Sequence, residues 1–178
     1  MRPGGAESVE LHASISDHES TLKEWNIVCS LTSNYMVSLC LDRRHLSNAS
    51  LIERIKCAYE IAGDRLILQA DGTPISGGDN NFNTTLQSIS IADVINKELK
   101  NKHRQFKNLP VVLSGGTNAL TGQLARRCGV KFNGISIGTY ARNLVKEYRS
   151  NIKTMQKKHI KEAVLLANRL INNNLIGW

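Results

Sequence analysis

The sequence lacks the features that mark several classes of protein. Aromatic residues make up only 5% of the chain, too few for the stacking platforms that bind single-stranded nucleic acid. No apolar stretch approaches the roughly 18 residues of a membrane-spanning helix. Residues 1–8 also lack the apolar segment of a signal peptide. We therefore expect a soluble protein without a membrane span.

Closely spaced cysteines are also missing. The four present are Cys29, Cys40, Cys57 and Cys128, and no two form a Cys-x-x-Cys pair. This spacing excludes a local zinc knuckle or iron–sulfur run. Cys40 and Cys57 fall on apolar faces, which predicts buried reduced thiols and hence a reducing compartment.

Acidic residues are outnumbered by basic ones, 15 to 23, which gives a formal charge of +8. Such a charge favours polyanions without identifying one. A candidate basic stretch runs over 100–107, with Lys100, Lys102, His103, Arg104 and Lys107. Nothing typical of a nucleic-acid-binding module surrounds it, so nucleic acid is not an expected partner.

Predicted strands and helices alternate along the 178 residues. The predicted strands are Ser8–Ala13, Tyr35–Leu41, Arg65–Gln69, one within Leu109–Ser114, and Ile135–Ile137. Such alternation indicates parallel strands joined by right-handed crossovers. We predict a single α/β domain over 1–178, a partial TIM-barrel-like array of about five βα units with an extra C-terminal helix in 150–178.

A complete eight-unit barrel takes about 250 residues, so five units indicate either a compact open sheet or the later part of a barrel. The chain opens almost directly on a strand, which favours a fragment. Two open sheet edges are then expected, to be covered by a missing segment or by a partner.

Serine and threonine residues mark the predicted helix starts. Ser16 with Glu19, and Ser50 with Glu53, have the spacing of capping boxes. An apolar stripe of Leu22, Trp25 and Ile27 follows the first box. Thr84 or Thr85 is expected to cap the helix before the fourth strand.

Two predicted strands end in glycine-containing turns, Ser114-Gly-Gly-Thr-Asn118 and Gly138-Thr-Tyr-Ala-Arg142. Glycine allows the backbone to approach a ligand, and Arg142 offers a cation that can fork onto phosphate or carboxylate. The phosphate site of many barrels uses the loops after the last two strands, where this pair would lie. The alternative is that the glycines only make tight turns between strand and helix.

Gln69 and Asp71 stand at the end of the third predicted strand, before a loop rich in glycine, serine and aspartate that includes Ser76. Side chains at such strand ends reach the ligand in barrels. Equally, Asp71-Gly-Thr-Pro is a good turn sequence. Glu10 and His12 share one face of the first strand and have the spacing of a proton-transfer pair. Strand residues of this kind are more often solvated or internally paired, so no mechanism is built on them.

Taken together, these motifs resemble the carboxyl-terminal domain of the LdpA family, the light-dependent period proteins of cyanobacteria and their plastid-containing relatives. The resemblance rests on Gln69–Gly77, Leu113–Asn118 and Gly138–Arg142, with Val9–His12 similar to that family's Glu-x-His strand. It covers Glu7 to about Val145. The chain departs from the family's loop at Ala70 and Thr73, where the family has a threonine and a basic residue.

The resemblance implies a barrel-like region linked to a ferredoxin-like segment that carries iron–sulfur clusters, and a role in redox-linked light input to the circadian clock. The family's closely spaced cysteine runs are not in this sequence. No cofactor is therefore expected on this chain, and the expected partner is an upstream iron–sulfur segment or another protein. A full-length relative would reside in the chloroplast.

The leading hypothesis is a noncatalytic ligand-sensing or interaction domain that binds a small anionic ligand. Its expected site residues are Gln69, Asp71, Ser76, Gly115, Gly116, Thr117, Asn118, Gly138, Tyr140 and Arg142. The alternative is a barrel oxidoreductase that binds flavin mononucleotide or another phosphate ligand through the same turns. A polyanion-binding domain ranks third because the basic residues are dispersed.

Overall fold

Five parallel strands form the sheet at the centre of the protein. The computed structural model describes residues 8–13, 17–43, 46–72, 81–149 and 157–175. The strands are β1 (Ser8–Ala13), β2 (Met36–Leu41), β3 (Leu66–Asp71), β4 (Val111–Ser114) and β5 (Gly134–Ile135). They lie in the order β1-β2-β3-β4-β5, and every neighbouring pair is parallel. The predicted α/β class is confirmed.

Helices alternate with these strands. They are α1 (His18–Leu31), α2 (Asn48–Ala62), α3 (Asn81–Ile95), α4 (Thr121–Arg127), α5 (Thr139–Leu144), α6 (Lys146–Arg149) and α7 (Lys157–Leu175). A π-helical stretch, Asn96–Lys100, continues α3. Right-handed crossovers between strands in consecutive order place the connecting helices on one face of a sheet. The opposite face therefore presents the strands' own side chains, as the interior of a barrel does.

The face of the sheet that packs against the helices is apolar. Val37, Leu39 and Leu41 of β2 are fully buried, and so are Leu68 of β3 and Val111 of β4. Full burial of one such side chain contributes about 1.5–3 kcal/mol. The hydrophobic effect at this face therefore holds the sheet and the helices together.

Two side chains fix α1 in place. The indole N–H of Trp25 donates to the Ala58 carbonyl of α2 at 3.0 Å. The guanidinium of Arg65 donates to the carbonyls of Thr32 and Tyr35, at 2.6 and 3.1 Å, and so satisfies backbone oxygens at the end of the helix. These bonds tie α1 to α2 and to the start of β3.

The opposite face of the sheet is polar near the carboxyl ends of its strands. Because side chains alternate along a strand, residues in register on neighbouring strands share a face. His12 is in register with Cys40, Cys40 with Gln69, and Asp71 with Ser114. The strand ends thus bring together polar side chains that are far apart in the sequence.

The helix starts differ from those predicted. Helix α1 is capped by the Asp17 carboxylate, which accepts the Ser20 N–H at 2.7 Å, and Ser16 lies outside the described residues. Helix α2 is capped by Ser47, which accepts the Ser50 N–H at 3.0 Å, so Ser50 is inside the helix. In both cases another residue that can cap a helix lies close to the predicted one in the sequence. Its side chain accepts a backbone N–H of the first helical turn.

Two further expectations about helices are wrong. Helix α3 begins at Asn81, so Thr84 and Thr85 lie within it rather than at its cap. Ile27 is 54% exposed, whereas Trp25 is buried as predicted. Ile27 is two residues from Trp25, and residues two apart on a helix face different directions.

The last helix lies where the sequence predicts one. Leu170 and Asn174 of α7 are buried, and the helix packs against α4 and α5. The segment after β5 forms two short helices, α5 and α6, which are separated at Val145. Among the described residues, no helix combines the length and the apolar character needed to cross a membrane.

Candidate functional site

A polar cavity of about 440 Å³ lies at the carboxyl ends of the strands. It is bordered by residues from all five strands or from the turns that directly follow them. The lining residues are Glu10, His12, Cys40, Gln69, Asp71, Ser114, Gly115, Gly116, Thr117, Ser136, Gly138, Thr139, Tyr140 and Arg142. The carboxyl ends of parallel strands are where barrel proteins bind their ligands.

Most of the residues predicted for the site border this cavity. They are Gln69, Asp71, Gly115, Gly116, Thr117, Gly138, Tyr140 and Arg142. Ser76 lies outside the described residues. The structure thus brings the third, fourth and fifth strand ends together, while binding by these residues stays a prediction.

Asn118 faces the protein interior instead. It is 7% exposed, and its Nδ2 donates to Thr85 Oγ1 at 3.1 Å. Its Oδ1 accepts the Leu120 N–H at 2.8 Å, and its own N–H donates to Thr121 Oγ1 at 2.8 Å. Asn118 therefore holds the turn before α4 together and does not line the cavity.

The turn after β4 is built from backbone in close contact. Gly115 and Gly116 both have φ of 66°, the left-handed region that favours glycine. A Cβ atom on Gly115 would lie 2.2 Å from Asp71 Oδ1 and 2.6 Å from the Gly72 nitrogen. Glycine at 115 is thus required by its backbone conformation and by its contact with the end of β3.

Hydroxyl groups fix this turn to its surroundings. Thr85 Oγ1 donates to the Gly116 carbonyl at 2.5 Å, and Thr117 Oγ1 donates to the Ser136 carbonyl at 2.5 Å. The second bond joins the turn after β4 to the segment after β5. The two glycine-containing motifs of the sequence are therefore neighbours in the fold.

Arg142 provides a cation beside these turns. Its side chain is exposed, its Nη2 donates to Thr139 Oγ1 at 3.0 Å, and the guanidinium reaches within 3.6 Å of the position that a Cβ on Gly138 would take. The guanidinium therefore lies over the turn after β5. It is available to an anion on the cavity side.

The side of the cavity formed by β1, β2 and β3 is rich in polar side chains. The Gln69 amide donates to Glu10 Oε2 and, at 2.9 Å, to Ser38 Oγ. His12 Nδ1 lies 3.9 Å from Glu10 Oε1, and His12 Nε2 lies 4.0 Å from Asp71 Oδ2. Glu10 and His12, which the sequence pairs on one face, are confirmed as neighbours.

Asp71 is the most enclosed carboxylate of this group. It is 6% exposed, and its Oδ1 accepts the Ser114 hydroxyl at 2.9 Å. Burial raises the pKa of Asp71 above its ordinary value, while the bond from Ser114 and the nearby His12 oppose that shift. A cation or a proton at this side of the cavity would therefore stabilise the site.

Cys40, also buried beside Asp71, was not among the predicted site residues. Burial raises the pKa of its thiol far above the ordinary range, and the carboxylates of Asp71 and Glu10 raise it further. Its buried position confirms the sequence prediction, whereas Cys57 is only half-buried. The signal that would have placed Cys40 in the site is its register beside His12, which the sequence alone does not contain.

A second cavity, of about 370 Å³, is apolar and lies between β5, α5 and α7. Among its lining residues are Ile135, Leu144, Ala167 and Leu170. This cavity was not predicted, because its walls come from segments whose packing is set by the tertiary fold.

Some side chains of the basic stretch after α3 form contacts within the protein. Lys100 Nζ donates to the Leu109 carbonyl at 2.7 Å, and burial together with Lys131 lowers the pKa of Lys100. Lys102 pairs with Glu98 at 2.5 Å. These contacts reduce the cationic surface on which a polyanion could lie.

The cysteines do not fit an iron–sulfur cluster, which in proteins is held mainly by several thiolates. They lie on α1, β2, α2 and in the turn after α4. In the part of the chain that the structure describes, a single group of three or more potential metal ligands is found. It consists of Glu10, His12 and Cys40, and so contains one thiol.

The five-stranded parallel sheet, with helices between its strands and a polar cavity at the carboxyl ends of those strands, defines an α/β fold. The chain matches the model of the light dependent period A C-terminal domain over residues 2–173, and it belongs to that family. The resemblance found in the sequence is thereby confirmed. No curated protein matches the chain.

Proposed function

We propose that this domain binds a small anionic ligand and acts as the sensing or interaction part of a light-dependent period protein. The observation that carries the proposal is the shared cavity. Predicted residues from the ends of three strands border it, and its volume is about 440 Å³. That volume lies in the range of about 300–1,000 Å³ typical of small-molecule sites. The family supports the role in light-dependent timing.

The two sides of the cavity suit the two ends of such a ligand. Backbone N–H groups of glycine turns can bind an anion, and Gly115 and Gly116 border the cavity in such a turn. Arg142 would add a charge-assisted hydrogen bond. Gln69 lies on the side of β1 to β3, and Asp71 lies beside Gly115 where the two sides meet. Both would accept hydrogen bonds from ligand hydroxyl or N–H groups. A ligand with a phosphate or carboxylate at one end and hydroxyls at the other fits this division.

The partner in this proposal is the iron–sulfur segment of a longer protein, or another protein that carries the cluster. Ligand binding at the strand ends would then be coupled to redox-linked light input, in a chloroplast for a plastid relative. Family membership supports this part of the proposal, because the cysteines of the chain itself do not fit a cluster.

The test is ligand binding to the purified domain. Inorganic phosphate, phosphorylated sugars and flavin mononucleotide are added singly, and the melting temperature is recorded. We expect at least one of them to raise it, because a ligand that binds only the folded state stabilises it. No shift with any of them would contradict the proposal.

Arg142→Ala then identifies the anion's position. Loss of a charge-assisted hydrogen bond costs about 1.5–3 kcal/mol, so we expect the dissociation constant to rise about 10-fold or more. Arg127→Ala is the matched control, since Arg127 is an exposed arginine of α4 outside the cavity. Equal affinity of the two variants for the anion would show that Arg142 does not contribute to anion binding.

A barrel oxidoreductase that binds flavin mononucleotide remains the second candidate function. It is favoured by the bond between Thr117 and Ser136, which places the turns after β4 and β5 side by side, as in the phosphate site of many barrels. This function predicts a yellow protein with a flavin absorption spectrum. A colourless protein that does not bind added flavin mononucleotide would exclude it.

A further inference from the structure

We propose that Glu10, His12 and Cys40 bind a zinc-like divalent cation at the β1–β2 side of the cavity, with one coordination position open to the cavity. One ligand atom from each residue lies within 4.8 Å of the other two. In a tetrahedral zinc site with bonds of 2.0–2.3 Å, neighbouring ligand atoms are about 3.5 Å apart. The ligand atoms therefore need to approach one another by at most about 1.3 Å.

The exposure of the His12 and Glu10 side chains allows that closure. The His12 and Glu10 side chains are 46% and 45% exposed, so both can rotate without disturbing the core. Cys40 is 3% exposed and provides the fixed donor at the base of the site. A cation would approach from solvent and meet the thiol last.

The backbone, rather than side-chain flexibility, brings the donors together. β1 and β2 are parallel, with His12 and Cys40 directly in register. Glu10 precedes His12 by two residues, so it shares the same face of β1. This arrangement is determined by strand pairing and differs from a chance cluster of mobile surface groups.

Each exposed donor also has a partner that would orient it. Glu10 Oε2 accepts the Gln69 amide, which leaves Oε1 facing His12 Nδ1. On the other side of the imidazole, Nε2 faces the buried carboxylate of Asp71 at 4.0 Å. Metal sites use a carboxylate hydrogen-bonded to the ligating histidine to fix the ring and raise its basicity. Asp71 would take that role once the imidazole moves about 1 Å closer.

The donor set indicates the class of metal. A thiolate, an imidazole and a carboxylate suit zinc and its neighbours in the first transition row, whereas magnesium and calcium take oxygen ligands. Three protein ligands and one open position are typical of zinc sites that also bind water or a small ligand. The inference goes beyond the proposed function, because anion binding at Gly115 and Arg142 requires no metal.

The experiment uses Co²⁺ as a spectroscopic substitute for zinc. The whole chain is treated with chelator, exchanged into buffer and titrated with Co²⁺. We expect a thiolate-to-cobalt charge-transfer band that saturates at one ion per chain and disappears when Zn²⁺ is added. Absence of this band in the unmodified protein would overturn the proposal.

Cys40→Ser should abolish the charge-transfer band. Cys57→Ser, which changes a half-buried cysteine on α2 away from the cavity, is the matched control and should retain it. A band that persists in Cys40→Ser would place the cobalt on another cysteine. Circular dichroism confirms that both variants are folded.

His12→Ala and Glu10→Gln alter exposed side chains, so they keep the test decisive even where Cys40→Ser does not fold. Each should weaken Co²⁺ binding at least 10-fold, and Asp71→Asn should weaken it about 10- to 100-fold through loss of the partner of the imidazole. Unchanged Co²⁺ affinity in both His12→Ala and Glu10→Gln would refute the site. Because the readout is the cobalt spectrum, failure here is distinguishable from failure of anion binding.

Discussion

The two sides of the polar cavity are built differently. On the side of β1 to β3, side chains such as Glu10, His12 and Gln69 project from strands. On the side of β4 and β5, the wall is mostly backbone at Gly115 and Gly116, with Arg142 as its cation. The first side offers charge and hydrogen-bonding groups on side chains, whereas the second offers a backbone that can be approached closely. The glycine side should therefore tolerate substitution less well than the side-chain side.

Gly115→Ala should give the largest effect. The added methyl group meets Asp71 and Gly72 at 2.2–2.6 Å, in a residue with φ of 66°. We expect a loss of about 2–5 kcal/mol in the free energy of unfolding, from about 1–2 kcal/mol for the left-handed backbone and about 1–3 kcal/mol for overpacking. Urea denaturation measures it.

Gly129→Ala separates these two contributions. Gly129 has φ of 67°, but a Cβ there would meet no atom within 4 Å. This variant should lose only the backbone part, about 1–2 kcal/mol. Equal losses at 115 and 129 would show that the contact with the end of β3 is unimportant.

Asn174→Ala should rank second. The Asn174 side chain accepts the Gly122 N–H at 2.8 Å, which joins α7 to α4, and it donates to the Leu170 carbonyl of its own helix at 2.9 Å. Its removal leaves a buried N–H without an acceptor, at a cost of about 1–3 kcal/mol in the free energy of unfolding. Asn173→Ala, at the exposed neighbouring position, is the control and should change stability little.

Gln69→Ala tests the other side of the cavity. Loss of the bonds from the Gln69 amide to Glu10 and Ser38 should cost about 0.5–1.5 kcal/mol in the free energy of unfolding, because the Glu10 acceptor remains open to water. Gln123→Ala, on the exposed side of α4, serves as the control. A loss of unfolding free energy as large as that of Gly115→Ala would contradict the prediction that the glycine side tolerates substitution less well.

The smallest effect is expected for Asp71→Asn, and it should depend on pH. Because burial raises the pKa of Asp71 in the folded state, the folded protein holds this proton more tightly than the unfolded chain does. The stability of the parent protein should therefore fall relative to Asp71→Asn as the pH rises from below 3.8, and level off once Asp71 is ionised.

Urea denaturation midpoints of both proteins, measured with chelator present across this pH range, check the prediction for Asp71. A stability difference that does not change with pH would mean that Asp71 titrates alike in the folded and unfolded states.

The sequence predicted one side of the site better than the other, for a physical reason. Gly115, Gly116, Gly138 and Arg142 belong to short local motifs, since a tight turn needs glycine wherever it occurs. The contact between His12 and Cys40 depends on the pairing of two strands separated by a whole helix. Strand alternation predicted the fold class, but strand register is decided by tertiary packing.

The predictions that proved wrong also depended on tertiary packing. Asn118 belongs to a glycine motif, yet packing against Thr85 and α4 turns its side chain inward. The cap of α1 is Asp17 rather than the predicted Ser16, since two residues side by side can both cap and only the folded chain selects one.

Asp71 touches both sides of the cavity. It lies 4.0 Å from the His12 imidazole and accepts the Ser114 hydroxyl, while the backbone of Gly115 packs directly against its carboxylate. Whatever binds on one side and alters the charge or position of this carboxylate changes the affinity of the other side. Thermodynamic linkage requires the effect to be reciprocal. Two ligands bound on the two sides of the cavity would therefore be coupled through Asp71.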